Sequence, residues 1–276
     1  MTTRHLRLVD DKAALQDGAP LIRAAGLEKR FTSRHGEDVV ALTGIDLEVR
    51  RGEFLSVVGP SGCGKSTLVR ILAGLEEQSS GEVLLEGKPV EGPGRDRGMV
   101  FQGYTLFPWL TVKKNVMFGL EINGYGAGEA ERQALQWLQL VGLEKFQNAY
   151  PHQLSGGMKQ RVAIARTLIN RPKVVLMDEP FGALDPQTRW GMQSLLLDVS
   201  RTEDNTILFV THDVSEAVYL ADTVYVLSSR PARILHKVDV PFFPVRDVAL
   251  KSAAEFRAVE KKLLDLLYAP PAAGKK

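Results

Sequence analysis

The chain has 276 residues, with 35 lysines and arginines against 33 aspartates and glutamates, and its net charge of +2 does not select for nucleic acid. Its one cysteine, Cys63, excludes an internal disulfide and suits a reducing compartment. No run of about 18 apolar residues occurs, so no transmembrane helix is expected, and any link to a membrane has to run through partners.

In chain order, Met1 to Pro20 reads as a polar lead without a hydrophobic signal region. Leu21–Phe31 and Val39–Val49 are predicted strands, joined by a polar loop. Glu53–Val58 is a short apolar strand that stops at Gly59. A helix follows over Lys65–Ala73, with Gly74 as its stop. Gly81–Leu85 and Gly98–Phe101 read as further strands. From Val112 to about Leu168 the pattern is helical, broken by glycines and by Pro151. Val174–Met177, Thr206–Val210 and Thr223–Leu227 read as buried strands, and Gln187–Ser200, Val214–Leu220 and Ala254–Leu267 as helices. The tail Ala269–Lys276 reads as disordered. Short strands apolar on both faces, alternating with helices, predict an α/β fold with a largely parallel sheet. The strand-rich start predicts an antiparallel sheet beside it, and the helical middle an inserted subdomain.

Gly59-Pro60-Ser61-Gly62-Cys63-Gly64-Lys65-Ser66 fits G-x-x-x-x-G-K-[ST] between a strand and a helix, the context a phosphate-binding loop requires. Glycines let successive N–H groups turn inward toward phosphate oxygens, and the helix aims its positive end at the same place. Lys65 would reach the β- and γ-phosphates of ATP, the Ser66 hydroxyl would ligate Mg²⁺, and Thr67 completes the cradle. The blander alternative is a glycine turn before a helix. Val174–Met177 then runs into Asp178 and Glu179. A strand end in a parallel sheet is where ligands sit. Asp178 would hold Mg²⁺, and Glu179 would act as general base on water. Consecutive strand residues face opposite ways, which would give the two carboxylates separate tasks.

Leu154-Ser155-Gly156-Gly157-Met158 resembles the signature motif of ABC ATPases, L-S-G-G-Q, with Met158 where the family usually has Gln. The resemblance covers roughly Leu21 to Arg233. It implies an ABC-type nucleotide-binding domain with a RecA-like, mostly parallel core, an antiparallel β subdomain and an inserted helical subdomain. On that reading residues 21–235 form the ATPase domain, with the helical subdomain at about 103–168, and residues 236–276 an extension with one helix. By the same resemblance, Ser155, Gly156 and Gly157 bind the nucleotide held by a second copy, so the chain acts as a homodimer. Gln102 is the glutamine that senses Mg²⁺ and the attacking water, Asp185 lies on the loop crossing to the partner, His212 is the switch histidine, and Phe31 stacks on adenine. Taken singly, Phe31 could be core, Gln102 a strand cap and His212 a structural imidazole. Pro180-Phe181-Gly182-Ala183-Leu184-Asp185 and Phe107-Pro108-Trp109-Leu110-Thr111-Val112 resemble importer subunits. Leu227-Ser228-Ser229-Arg230-Pro231-Ala232-Arg233-Ile234 is similar to a run in the nitrate, sulfonate and taurine group. The resemblance therefore implies transmembrane permease partners, a solute-binding protein acting indirectly, no nucleic acid, and a peripheral location on the cytoplasmic face of the membrane. An exporter or lipid-transport ATPase, a non-transport ABC ATPase and a nucleotide-dependent switch are the alternatives.

Overall fold

The computed structural model describes residues 18–32, 38–202, 205–241 and 246–268. The predicted tail 269–276 and the polar lead before residue 18 lie outside the described residues. The elements are β1 (Ile22–Thr32), β2 (Asp38–Val49), β3 (Phe54–Val58), α1 (Lys65–Leu72), β4 (Ser80–Leu85), β5 (Lys88–Pro89), β6 (Arg97–Val100), α2 (Val112–Ile122), α3 (Ala127–Leu140), α4 (Gly156–Leu168), β7 (Val174–Asp178), α5 (Pro186–Thr202), β8 (Thr206–Thr211), α6 (Val214–Leu220), β9 (Thr223–Leu227), β10 (Ile234–Asp239) and α7 (Ala254–Tyr268).

Strands β3, β7, β8 and β9 are buried at every position. Such runs have to be covered on both faces. They form the centre of a six-stranded sheet of order β10-β9-β3-β8-β7-β6, parallel except at β10. Alternate residues serve alternate cores. Val175, Met177, Ile207 and Phe209 pack under α5, α6 and α7, whereas Val174, Leu176, Leu208 and Val210 pack under α1 and the second sheet. That second sheet is antiparallel, of order β2-β1-β4-β5. A parallel bridge from Leu42 to Ala232 fastens it to the segment between β9 and β10.

The helical middle has its own core, built from Val112, Val116 and Leu120 of α2, Ala130, Ala134 and Leu138 of α3, and Val162, Ala165 and Ile169 in and just after α4. Asn115 is fully buried there. Its Nδ2 donates to the carbonyls of Phe107 (3.1 Å), Leu110 (3.0 Å) and Thr111 (3.1 Å), and its Oδ1 accepts from Phe107 N at 2.8 Å. This clamp fixes the loop that leaves Trp109 71% exposed.

Two strands have no counterpart among the predicted elements. In β10 only Val238 is buried, so no apolar run or alternation marks this edge strand. Strand β5 has two residues, one a proline.

Candidate active site

Strand β3 ends at Val58, flanked by β8 and β9, and the chain turns over the sheet edge before α1 begins at Lys65. Gly64 takes φ +135, and a Cβ on it would lie 2.9 Å from Leu42 Cδ2 and 3.0 Å from the Ala41 carbonyl. Only glycine meets both demands. Beneath the loop Cys63 is buried, and burial pushes its thiol pKa up, so it packs rather than reacts. The loop is also held from outside. Arg230 Nη2 donates to the Gly62 carbonyl at 2.8 Å. The buried Ala232 donates its N–H to Ala41 O at 2.9 Å and accepts from Thr43 N at 3.0 Å. Arg230 was not expected at the site. Its position in the run after β9 gave no hint of a contact back to residue 62.

The structure brings Lys65, Ser66, Asp178, Glu179 and His212 together. Lys65, 4% exposed, donates from Nζ to the carbonyls of Gly59 (2.9 Å) and Pro60 (3.0 Å), and stands 3.3 Å from Glu179 Oε1. The Ser66 hydroxyl donates to Asp178 Oδ1 at 2.9 Å. Burial pushes the Asp178 carboxyl above its usual range. The Ser66 hydrogen bond pulls it back, and the neighbouring Glu179 charge adds to the rise. His212 Nδ1 lies 3.0 Å from Glu179 Oε2.

Glu179 is separated from Asp178 differently from the expectation. The strand stops at Asp178, and Glu179 takes φ +43, with its N–H donating to Val210 O at 2.9 Å. A left-handed turn, not the strand pleat, aims the second carboxylate at Lys65 and His212. A bulky residue in that region stores about 1–3 kcal/mol of strain, which the surrounding contacts hold in place. Gln102 is exposed just after β6. A Cβ on Gly182 would lie 4.0 Å from Gln102 Nε2 and 3.9 Å from Glu179 Oε2, so Gln102 approaches the cluster on its Glu179 side.

Residues 42–182 match the family described as ABC transporter. An ABC transporter ATP-binding protein of Methanocaldococcus jannaschii is 52% identical over 259 residues, covering 94% of this chain and 96% of the relative. The chain belongs to the ABC transporter family. The nitrate import ATP-binding protein NrtD of Synechocystis sp. is 53% identical over 214 residues, 78% of this chain and 80% of its own. Among solved structures, the dimeric post-hydrolysis state of the ATP-binding cassette MJ0796 bound to ADP and Pi superposes with a TM-score of 0.71 at 33% identity, covering 80% of this chain and all of that one.

The remaining ABC positions lie outside the central cluster, at the start of α4, on the loop before α5 and near the end of β1. Ser155 caps α4, its hydroxyl accepting from Met158 N at 3.3 Å. Met158 packs its side chain on the core of the helical subdomain, which accounts for an apolar residue where the family usually has Gln. A Cβ on Gly156 would fall 2.8 Å from the Tyr104 hydroxyl, and one on Gly157 would overlap Thr188 Cγ2. The Ser155 turn therefore abuts the loop of Asp185, which caps α5 by accepting from Thr188 N at 3.0 Å. The Thr188 hydroxyl, and after it the Thr188 N–H, hold the Asp185 carboxyl below its usual range. Phe31, the last residue but one of β1, is 40% exposed, with Lys29 Nζ 4.8 Å from its ring centre.

Proposed function

We infer that this chain is the ATP-binding and ATP-hydrolysing subunit of an ABC importer, that two copies work as a pair, and that the pair drives uptake through separate membrane-spanning subunits. The observation that carries the reading is the contact chain His212–Glu179–Lys65 beside the Ser66–Asp178 pair, all at one end of adjacent parallel strands.

Lys65, the N–H groups of Gly59 and of Ser61 to Gly64, and the Ser61 and Thr67 hydroxyls bind the triphosphate, and Phe31 stacks on the base. Mg²⁺ takes hard oxygen ligands from one or two carboxylates and keeps phosphates and waters for the rest. Ser66 and Asp178 fit that demand: they offer a hydroxyl and a buried carboxylate that is disfavoured as a lone charge. Gln102 adds an amide oxygen from the Glu179 side. Mg²⁺ held by these residues would neutralise phosphate charge. Glu179 takes the proton of the attacking water, and His212 holds the Glu179 carboxylate in line. Ser155 and the N–H groups of Gly156 and Gly157 form a second cradle, for the nucleotide of the other copy. Asp185, beside them, lies on the crossing loop.

No helix among the described residues is long and apolar enough to cross a membrane. The link to the permease is a groove of about 470 Å³ between β6, α2 and α4, lined by Met99, Phe101, Phe107, Phe118, Ile122 and Arg166. An apolar groove with a few cations suits a short helix of a membrane subunit. The chain then sits at the cytoplasmic face of the membrane, with a solute-binding protein feeding the other side. The solute is a small anion or organic solute of the nitrate, sulfonate and taurine kind, on the strength of NrtD and the Leu227–Ile234 run.

Mixing two disabled copies tests the sandwich. Neither Ser155→Arg nor Lys65→Ala alone should release phosphate from ATP. A mixed pair has one intact composite site, built from Lys65 of one copy and Ser155 of the other, and should regain release. Mixtures as inactive as the separate variants overturn the reading.

A further inference from the structure

The hydrolytic centre makes no direct use of Glu216, a carboxylate only 4% exposed in the first turn of α6. Its surroundings come from α5 and from the turn after β8. The Thr211 hydroxyl donates to Oε2 at 2.7 Å, and Gln193 Nε2 donates to Oε1 at 3.0 Å. Arg189 Nε stands 3.7 Å from Oε1. Asp213 is the like charge nearby, and Arg189 Nη1 lies 3.8 Å from it. Burial raises the Glu216 pKa, the Thr211 hydrogen bond lowers it, Asp213 raises it, and Arg189 and Gln193 lower it. A buried carboxylate tolerates this only with its partners fixed, and losing one leaves the others mismatched.

Three arms leave this hub. Thr211 Oγ1 also accepts from Asp213 N at 3.0 Å, so the turn with His212 at its centre is fastened to Glu216. Arg189 Nη2 donates to the Leu184 carbonyl at 3.0 Å, which brings in the loop of Asp185. The third arm reaches the C-terminal segment. Lys251 Nζ donates to Gln193 Oε1 at 3.4 Å and lies over the rings of Trp190 (4.8 Å) and Tyr219 (5.4 Å). Burial lowers the Lys251 pKa, which Asp213, Glu216 and Glu260 oppose.

We propose that Glu216 is a positioning residue for ATP hydrolysis, fastening the His212 turn and the Asp185 loop to helix α5, and that Lys251 makes this fastening depend on how the C-terminal segment is seated. The inference rests on the hydrolytic function above. Neither side chain touches the reacting atoms. Lifting the segment carrying Lys251 away from Trp190 and Tyr219 slackens the turn carrying His212, and hydrolysis slows while nucleotide binding persists.

The full chain is tested with Mg-ATP, by kcat and KM for phosphate release and by thermal melting. Glu216→Ala should lose about tenfold in kcat with KM within about twofold. Glu216→Gln keeps an oxygen to accept from Gln193 Nε2 and can donate its own amide N–H to the second lone pair of Thr211 Oγ1, so Gln193 Oε1 stays with Lys251 and most of the rate returns. Lys251→Met keeps a stem over the rings but no donor, and should lose about threefold in kcat alone. The proposal falls if Glu216→Ala and Lys251→Met keep the parental kcat. It also falls if Glu216→Gln is as damaged as Glu216→Ala, or if KM rises in step with the loss of kcat. Where Glu216→Ala does not fold, Glu216→Gln and Lys251→Met decide alone: a parental kcat in Lys251→Met, or a tenfold loss in Glu216→Gln, overturns it. A parent chain that releases no phosphate overturns the functional reading and this inference with it.

Discussion

His212 Nδ1 and Glu179 Oε2 stand 3.0 Å apart, and the other oxygen of that carboxylate faces Lys65 Nζ at 3.3 Å. One carboxylate thus bridges the buried lysine of the glycine-rich loop and the histidine that follows β8. Glu179→Gln keeps the size and removes the proposed base. Phosphate release should fall by about 10²–10⁴-fold, while titration with Mg-ATP should show affinity close to the parent. Gel filtration with ATP should show the pair accumulating. A variant that still turns over at the parental rate takes Glu179 out of the base role.

Lys65 is buried and held by two carbonyls of its own loop. Its ammonium is pre-aimed, so removing it removes a charge-assisted contact that no neighbour replaces. Lys65→Ala should weaken Mg-ATP binding by about tenfold or more, read by isothermal titration. Unchanged affinity would show that the nucleotide binds elsewhere.

Gly64→Ala forces a side chain into φ +135 and against Leu42 Cδ2 at 2.9 Å. The strained backbone costs about 1–3 kcal/mol, and the β2 contact adds to it. Thermal melting should show the loss, and nucleotide binding should fall because the loop shifts. A melting temperature equal to the parent's would mean that the loop relaxes freely, against the bracing by Ala41, Thr43 and Ala232.

Trp109 is 71% exposed on a loop that Asn115 holds by three donated hydrogen bonds. A rigid exposed indole is a suitable anchor for a partner. Trp109→Ala should weaken binding of the membrane subunits by about tenfold, measured by co-purification from detergent at graded concentrations. Equal recovery would remove this loop from the docking surface.

Glu216 gives a pH signature. Burial holds its carboxyl above the ordinary glutamate value, with the Thr211 hydrogen bond opposing, Asp213 adding to the rise, and Arg189 and Gln193 opposing. Between the ordinary and the raised value the folded chain keeps a proton that the unfolded chain has released. Stability therefore declines as pH rises through that window. Glu216→Gln does not titrate, so parental stability relative to this variant should decline across the window and level off above it. Melts at a series of pH values read this directly, and a constant difference would contradict the raised carboxyl.

The parts of the site visible in the sequence were those made by neighbours in the chain. Gly59 to Ser66 and Asp178–Glu179 follow apolar strands, and parallel strands put both at the C-terminal end of one sheet. The helix of Ser155 was legible because a capping serine and two glycines precede an apolar repeat. What stayed hidden depended on long-range contacts or weak patterns. Arg230 reaches Gly62 across 168 residues. Lys251 reaches Gln193 across 58, from a segment with no motif of its own. The turn that sets Glu179 apart was hidden as well, because a glutamate carries no mark of a positive φ. Strand β10 escaped because an edge strand with one buried residue lacks the hydrophobic spacing by which strands are read.

The Tyr104 hydroxyl occupies the space that a Cβ on Gly156 would need. Tyr104 stands two residues beyond Gln102 and next to Thr105, which lines the groove between β6, α2 and α4, and Gly156 is the first residue of α4. The loop after Gln102 and the start of α4 are packed against each other here, so a displacement of either one has to be accommodated by the other.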